Sequence, residues 1–199
     1  MSGELRGKVV ALVCRGTETD RAIAVALAEA GADIAIGTIG AGQQEEFQTA
    51  SIANEVWAIG REQFNRVIDA ADPVSVAAFA AEVCDRLGRC DGLVFSPGET
   101  PAIPFDELSR DEWDALLERT ITAWMFSAQE FGRVIERGGG GVLLLAAGPA
   151  DWNPAIHTIH GALAGAVAGL QAAYAGRGPQ VAGCRPGDAA ERLADLLSS

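Results

Sequence analysis

Two histidines, His157 and His160, stand three positions apart in a stretch without charged side chains, and the sequence holds no others. On a helix that spacing puts both imidazoles on one face, where they could ligate a metal. A neutral imidazole near pH 7 is also a competent proton carrier. Asp151 is the one further ligand nearby, so two satisfied or exposed histidines are the plainer account and no metal is expected. The single lysine, Lys8, and the single tyrosine, Tyr174, lie near opposite ends, so no short motif can hold both. Cys14, Cys84, Cys90 and Cys184 form no CxxC pair and sit in apolar or loop contexts, which reads as reduced thiols.

The elements that must position these groups follow from the rest of the sequence. With 199 residues and 49% hydrophobic content, one core and one domain spanning 1–199 are expected. A formal charge of −12 repels nucleic acid and anionic membranes, which excludes both as partners. The N-terminal residues run into a strand-like segment with no signal-peptide pattern, so a cytoplasmic protein is expected. Residues 153–176 are uncharged and long enough to span a bilayer, but Ala and Gly dominate them, which predicts a buried helix instead.

Apolar runs at 9–13, 33–36, 65–68, 92–95, 142–146 and 180–183 read as strands. Segments with helical spacing at 21–30, 43–58, 74–87, 109–136, 156–175 and 188–197 separate or follow them. Ser109 and Glu112 are spaced as a capping box. Strict alternation predicts an α/β fold: a doubly wound parallel sheet in a three-layer α/β/α arrangement.

The wording of residues 7–36 (GKVVALV to ADIAI), 67–98, 111–129, 138–148 and 161–170 resembles the short-chain dehydrogenase/reductase family over nearly the whole chain. The resemblance implies a Rossmann-type sheet, an NAD or NADP cofactor, and an Asn-Ser-Tyr-Lys set in which the tyrosine passes a proton and the lysine lowers its pKa. The family's TGxxxGIG loop corresponds here to Cys14-Arg15-Gly16-Thr17-Glu18-Thr19-Asp20, one residue short and with one glycine. Glycines there permit the tight turn and the approach of the pyrophosphate. Glu18 and Asp20 are expected near that pyrophosphate. At about 5 Å and an effective dielectric of roughly 20, each would cost about 3 kcal/mol, which disfavours a dinucleotide. As an alternative use, Thr19 or Asp20 caps the helix. Asp69 matches the adenine-contacting aspartate, while Phe95-Ser-Pro-Gly98 replaces NNAG.

The same resemblance places Thr120, Ala147, His160 and Ala164 at the Asn, Ser, Tyr and Lys positions, so all four are changed. No cofactor and no intrinsic activity are therefore expected. Gly161, Gly165 and Gly169, with Ala164 and Ala168, form a small-residue row that permits close helix approach. Together with Trp124 they are expected at a subunit interface, since the family dimerises through these two helices. Against the family's pattern the region after Gly187 reads as shortened, so the substrate lid and last strand that the resemblance implies are not expected here.

The expectation is a catalytically inactive subunit that docks through 109–136 and 156–175 onto an active family paralogue, as a hetero-oligomer of heterotetramer form, and stabilises it. It is similar in this to the non-catalytic subunit of the heteromeric acyl-CoA alcohol dehydrogenases of benzylsuccinate β-oxidation. Three alternatives stay open: a homodimeric scaffold, a ligand sensor on the same fold, and a divergent oxidoreductase using His160. A glycine row that merely fits the chain's own sheet is a further possibility.

Overall fold

The computed structural model describes residues 4–98, 103–148 and 153–198. Six parallel strands form one sheet in the order β3-β2-β1-β4-β5-β6. They are β1 (Val9–Cys14), β2 (Asp33–Thr38), β3 (Gln63–Arg66), β4 (Gly92–Phe95), β5 (Gly141–Ala146) and β6 (Pro179–Cys184). The helices are α1 (Glu18–Glu29), α2 (Gln43–Ala58), α3 (Pro73–Leu87), α4 (Arg110–Leu117), α5 (Ala123–Arg137), α6 (Pro154–Tyr174) and α7 (Ala189–Ser198).

Both sheet faces are covered, and β1 shows why its sequence is a continuous apolar run. Val9, Ala11 and Val13 enter the core shared with α3, α5 and α6. Val10, Leu12 and Cys14 enter the one shared with α1, α2 and α7. Successive side chains alternate between faces, so a strand buried on both must be apolar throughout.

Helix ends follow local chemistry. Asp72 accepts from the Val74 amide and Pro73 takes the first position of α3, while Gly88 ends it at φ +82°. The segment expected as one helix over 109–136 is interrupted: a π-turn at Glu118–Thr122 separates α4 from α5. The strand expected at 65–68 is instead Gln63–Arg66, because those residues pair with Ile34–Gly37 of β2. Ile68, just beyond, bonds through its backbone to the Thr38 hydroxyl.

Lys8 and Tyr174 both serve the fold. Lys8 Nζ lies 3.8 Å from Asp91, whose carboxylate also accepts the Val9 amide at 2.9 Å. This ties the starts of β1 and β4 at the N-terminal rim of the sheet. Tyr174 Oη lies 3.4 Å from the Ala128 carbonyl, at the point where α5 presents Gly132. The outer edge of β6 is blunted, as edge strands must be. Pro179 has no N–H, and Gln171 Nε2 donates to the Val181 carbonyl at 2.8 Å.

Among the described residues no helix is long and apolar enough to cross a membrane. Helix α6 is not covered all round as expected. Ala155, Ile156, Ile159 and Leu163 are buried against the sheet, and the opposite face is exposed.

Candidate active site

Strand order reverses between β1 and its neighbours β2 and β4, which opens a crevice beyond the carboxyl ends of the strands. The loop after β1 forms its floor. Gly16 has φ +78°, and a Cβ there would come within 2.5 Å of Gln48 Cβ on α2, so only glycine fits. Thr17, rather than Thr19 or Asp20, caps α1. Its hydroxyl accepts the Asp20 amide at 3.3 Å, and the Asp20 carboxylate accepts the Thr17 amide at 2.8 Å. The helix consequently begins three residues earlier than its apolar spacing suggests.

That cap redirects the charge expected to repel a pyrophosphate. Asp20 is fully buried and its other oxygen accepts from Ser96 Oγ at 2.5 Å. Glu18 projects outward, 88% exposed, and pairs with Arg21 at 3.3 Å. Cys14 is buried beneath the loop, where burial and then Asp20 push its thiol pKa well up. A raised thiol pKa leaves little thiolate to react.

Arg15, at the start of this loop, is engaged by an acid of α2. Arg15 Nε lies 3.3 Å from Glu45, whose second oxygen accepts the Gly40 amide at 2.8 Å. Gly98, at φ +71°, brings bare backbone against Arg15; a Cβ there would lie 3.2 Å from Arg15 Cδ. Arg119, in the π-turn, is subject to the charges of Arg15 and Glu45. Its pKa is lowered by burial and then by Arg15, while Glu45 opposes the shift. Its buried Nε has no hydrogen-bond partner, and it forms no ion pair among the described residues. Asp69 is exposed and accepts the Ala71 amide at 3.0 Å in a local turn. Phe95 is buried with its ring 5.6 Å from that of Trp124.

Three of the four positions expected at the active set converge. Ala147, His160 and Ala164 line one cavity of about 260 Å³ with Leu145, Val167 and Cys184 among its other walls. His160 has its pKa lowered by burial first and His157 second, which leaves it neutral near pH 7. Burial, then Asp188, pushes the Cys184 thiol up to about 11. Thr120 is elsewhere occupied: it is buried, and its hydroxyl donates to the Leu116 carbonyl at 2.5 Å. No group of three potential metal ligands occurs among the described residues, and Asp151 lies outside them.

The interface positions divide. Gly161, Ala164, Gly165, Ala168 and Gly169 are exposed, and a Cβ on any of the three glycines would meet nothing within 4 Å. The glycines are thus not required by packing on the chain's own sheet. Trp124 does not belong with them, because it is fully buried in the core against Phe95.

The family described as enoyl-(acyl carrier protein) reductase matches residues 21–187. A D-threitol dehydrogenase of Mycolicibacterium smegmatis is 32% identical over 182 residues, covering 89% of this chain and 68% of that protein. The chain belongs to the short-chain dehydrogenase/reductase family. A second member, a 2-dehydro-3-deoxy-D-gluconate 5-dehydrogenase of Pseudoalteromonas atlantica, is 28% identical over 92% of this chain and 72% of its own. Among solved structures, a short-chain dehydrogenase/reductase from Mycobacterium marinum superimposes with TM-score 0.84 at 18% identity, over 96% of this chain and 88% of that one. A metagenomic short-chain oxidoreductase in complex with NADP gives 0.81 at 22%, over 99% and 93%. These two share the fold.

Family membership corrects the expectation of a chain without activity of its own. Its relatives carry the names of dehydrogenases, which points to an enzyme. The residues present fit a dinucleotide of the kind family members bind. Arg15, in the loop after β1, and Arg119, whose buried Nε has no partner, are the cationic candidates for holding its phosphates.

Proposed function

We propose that this chain is an NAD(P)-linked oxidoreductase of the short-chain dehydrogenase/reductase family that acts on a small, uncharged alcohol or ketone, with His160 as its proton carrier. The observation that carries this reading is the convergence of Ala147, His160 and Ala164 on one apolar cavity. His160 stands where the family's proton-passing tyrosine would be, and its lowered pKa keeps the imidazole available as a base at neutral pH.

Arg15 and Arg119 would hold the cofactor's phosphates. A bound nicotinamide would accept or donate the hydride. In the oxidation direction the substrate hydroxyl gives its proton to the His160 imidazole, and reduction returns it. Cys184, largely protonated at neutral pH, offers a weak donor at the same wall. No Asp, Glu, Lys or Arg lines the cavity among the described residues, which favours a neutral substrate and gives an acyl-CoA no cationic cradle there.

The test is turnover of a panel of short secondary alcohols and ketones with NAD and NADP, comparing wild type with His160→Ala. Turnover that falls at least about 100-fold in the variant supports the assignment. Activity unchanged by the variant overturns His160's role, and no turnover of any kind by folded wild type overturns the dehydrogenase reading.

A second reading concerns assembly. The exposed, uncharged face of α6, with three glycines that the chain's own packing does not need, favours docking of a family paralogue through α5 and α6 in a hetero-oligomer. Affinity capture of the tagged chain with mass spectrometry tests it: a stoichiometric family dehydrogenase supports a paralogue, and self-copies alone favour a homo-oligomer.

A further inference from the structure

We infer that the groove between α1 and α7 is a docking site for a short amphipathic helix of a partner protein, apolar along one side and rich in lysine or arginine at one end. Two cavities make up this groove, one of about 530 Å³ and one of about 370 Å³, and they meet at Ala26 and Ala190. The floor is small and apolar. Ala22, Ala26 and Ala30 follow at four-residue spacing along α1 and its cap, and Gly187 and Ala190 line the groove from the turn before α7 and from α7 itself. From Glu18 to Glu29 the groove runs roughly 16 Å, about three helical turns. Floor residues this small let a second helix come close.

One end of the rim is acidic. Glu4, Glu29 and Glu191 line the larger cavity, all three are exposed, and none forms an ion pair among the described residues. Among the described residues no lysine or arginine lines either cavity. Glu29 stands in the last turn of α1, where the helix dipole disfavours an anion, and that turn holds no basic residue. The fold therefore carries an unfavourable charge that its own residues leave unanswered, and a cation entering the groove answers it. Ile59, 39% exposed at the end of α2, adds an apolar contact on the same rim.

These charges decide among occupants. A second copy would bring a formal charge of −12 to an acidic groove, which repels it. A small cation alone leaves the apolar floor unfilled. A helix that lays aliphatic side chains on the alanines and cations against the three glutamates meets both features at once. The groove lies on the sheet face opposite α6 and shares no residue with the cavity of His160, so the site goes beyond the dehydrogenase reading and does not depend on it.

Fluorescence anisotropy with two labelled synthetic peptides tests the groove: an amphipathic helix of leucine and lysine about 14 residues long, and the same sequence with glutamate for lysine. Wild type is expected to bind the lysine peptide, more weakly as salt rises, and not the glutamate peptide. Glu29→Gln with Glu191→Gln should weaken binding about tenfold or more. Ala22→Arg, at an exposed position of α1, should abolish it by filling the groove, with circular dichroism confirming the fold. Glu29→Gln alone should raise the thermal midpoint, a gain in stability at a loss in binding. Asp106→Asn with Asp111→Asn removes as much charge from the exposed segment around α4, on the other face of the sheet, and should leave binding unchanged. If that pair weakens binding as much as the glutamate pair, net charge alone draws the peptide and the site is overturned. Failure of wild type to bind the lysine peptide, equal binding of both peptides, or retention of binding by folded Ala22→Arg overturns it as well. Spermidine that binds as tightly as the lysine peptide overturns the helix as occupant in favour of a small polycation.

Discussion

Asp20 points its carboxylate into the protein, where it accepts the Ser96 hydroxyl at 2.5 Å and closes the cap of α1 with Thr17. An acid that sequence position alone sets at the mouth of the crevice is instead a buried tie between α1 and the end of β4. Replacing it with alanine strands the Ser96 hydroxyl and removes the capping box. Asp20→Ala is expected to lower stability by about 2–3 kcal/mol, measured by urea denaturation, with Asp20→Asn costing less.

The α5–α6 contact gives a second expectation. A methyl at Gly132 would overlap Tyr174 Oη. Gly132→Ala should destabilise the protein by about 2 kcal/mol despite the better helix propensity of alanine. In combination with Tyr174→Ala the two losses should fall short of additivity, because the second removes the clash created by the first. Thermal unfolding of the double-mutant cycle reads this.

His160 makes a pH-dependent prediction. Its pKa is lowered by burial and by His157 from the ordinary value of 6.5, so the unfolded chain binds a proton more readily than the folded one. Stability should then fall as the pH drops from neutral through 6.5, and level off below the folded pKa. His160→Gln should flatten that part of the profile. In the enzyme, the acid limb of the rate profile should lie below the usual histidine range and move with His157→Gln, which removes the second cause of the shift.

The glycine row of α6 separates stability from assembly. Among the described residues nothing lies within 4 Å of where a Gly165 Cβ would stand, so Gly165→Ala should stabilise the isolated subunit by about 1 kcal/mol. Gly165→Arg should leave the monomer folded but abolish any α6-mediated oligomer, as followed by light scattering after gel filtration. An unchanged oligomer in the arginine variant would remove α6 from the interface.

How much of this was legible beforehand depends on the range of the interactions involved. Helix α2 has the bounds its sequence suggests, 43–58, and β1 and β4 follow their apolar runs. Those features are local. The shift of β3 was hidden because Val67 and Ile68 are the more strand-like residues, but register with β2 selects Gln63–Arg66. The π-turn leaves no residue signature, since it is a change in backbone pairing within a continuous helical pattern. Three active-set positions could be aligned by motif, and the cavity brings them together. Arg119 could not be found that way, because the burial of its unpartnered Nε comes from the fold around the π-turn and not from a motif. Trp124 was misread for a similar reason: a large aromatic on an amphipathic helix suits an interface or a core equally, and here Phe95 receives it.

The tie between Lys8 and Asp91 has a practical side. The sequence's one lysine sits at the rim of the sheet farthest from the crevice, two-thirds shielded at 33% exposure. Labels and cross-linkers that acylate lysine side chains will therefore report from that rim and leave α6 silent. Mapping contacts of α6 calls for photochemical or histidine-directed reagents, and side-chain immobilisation through Lys8 would present the crevice outward.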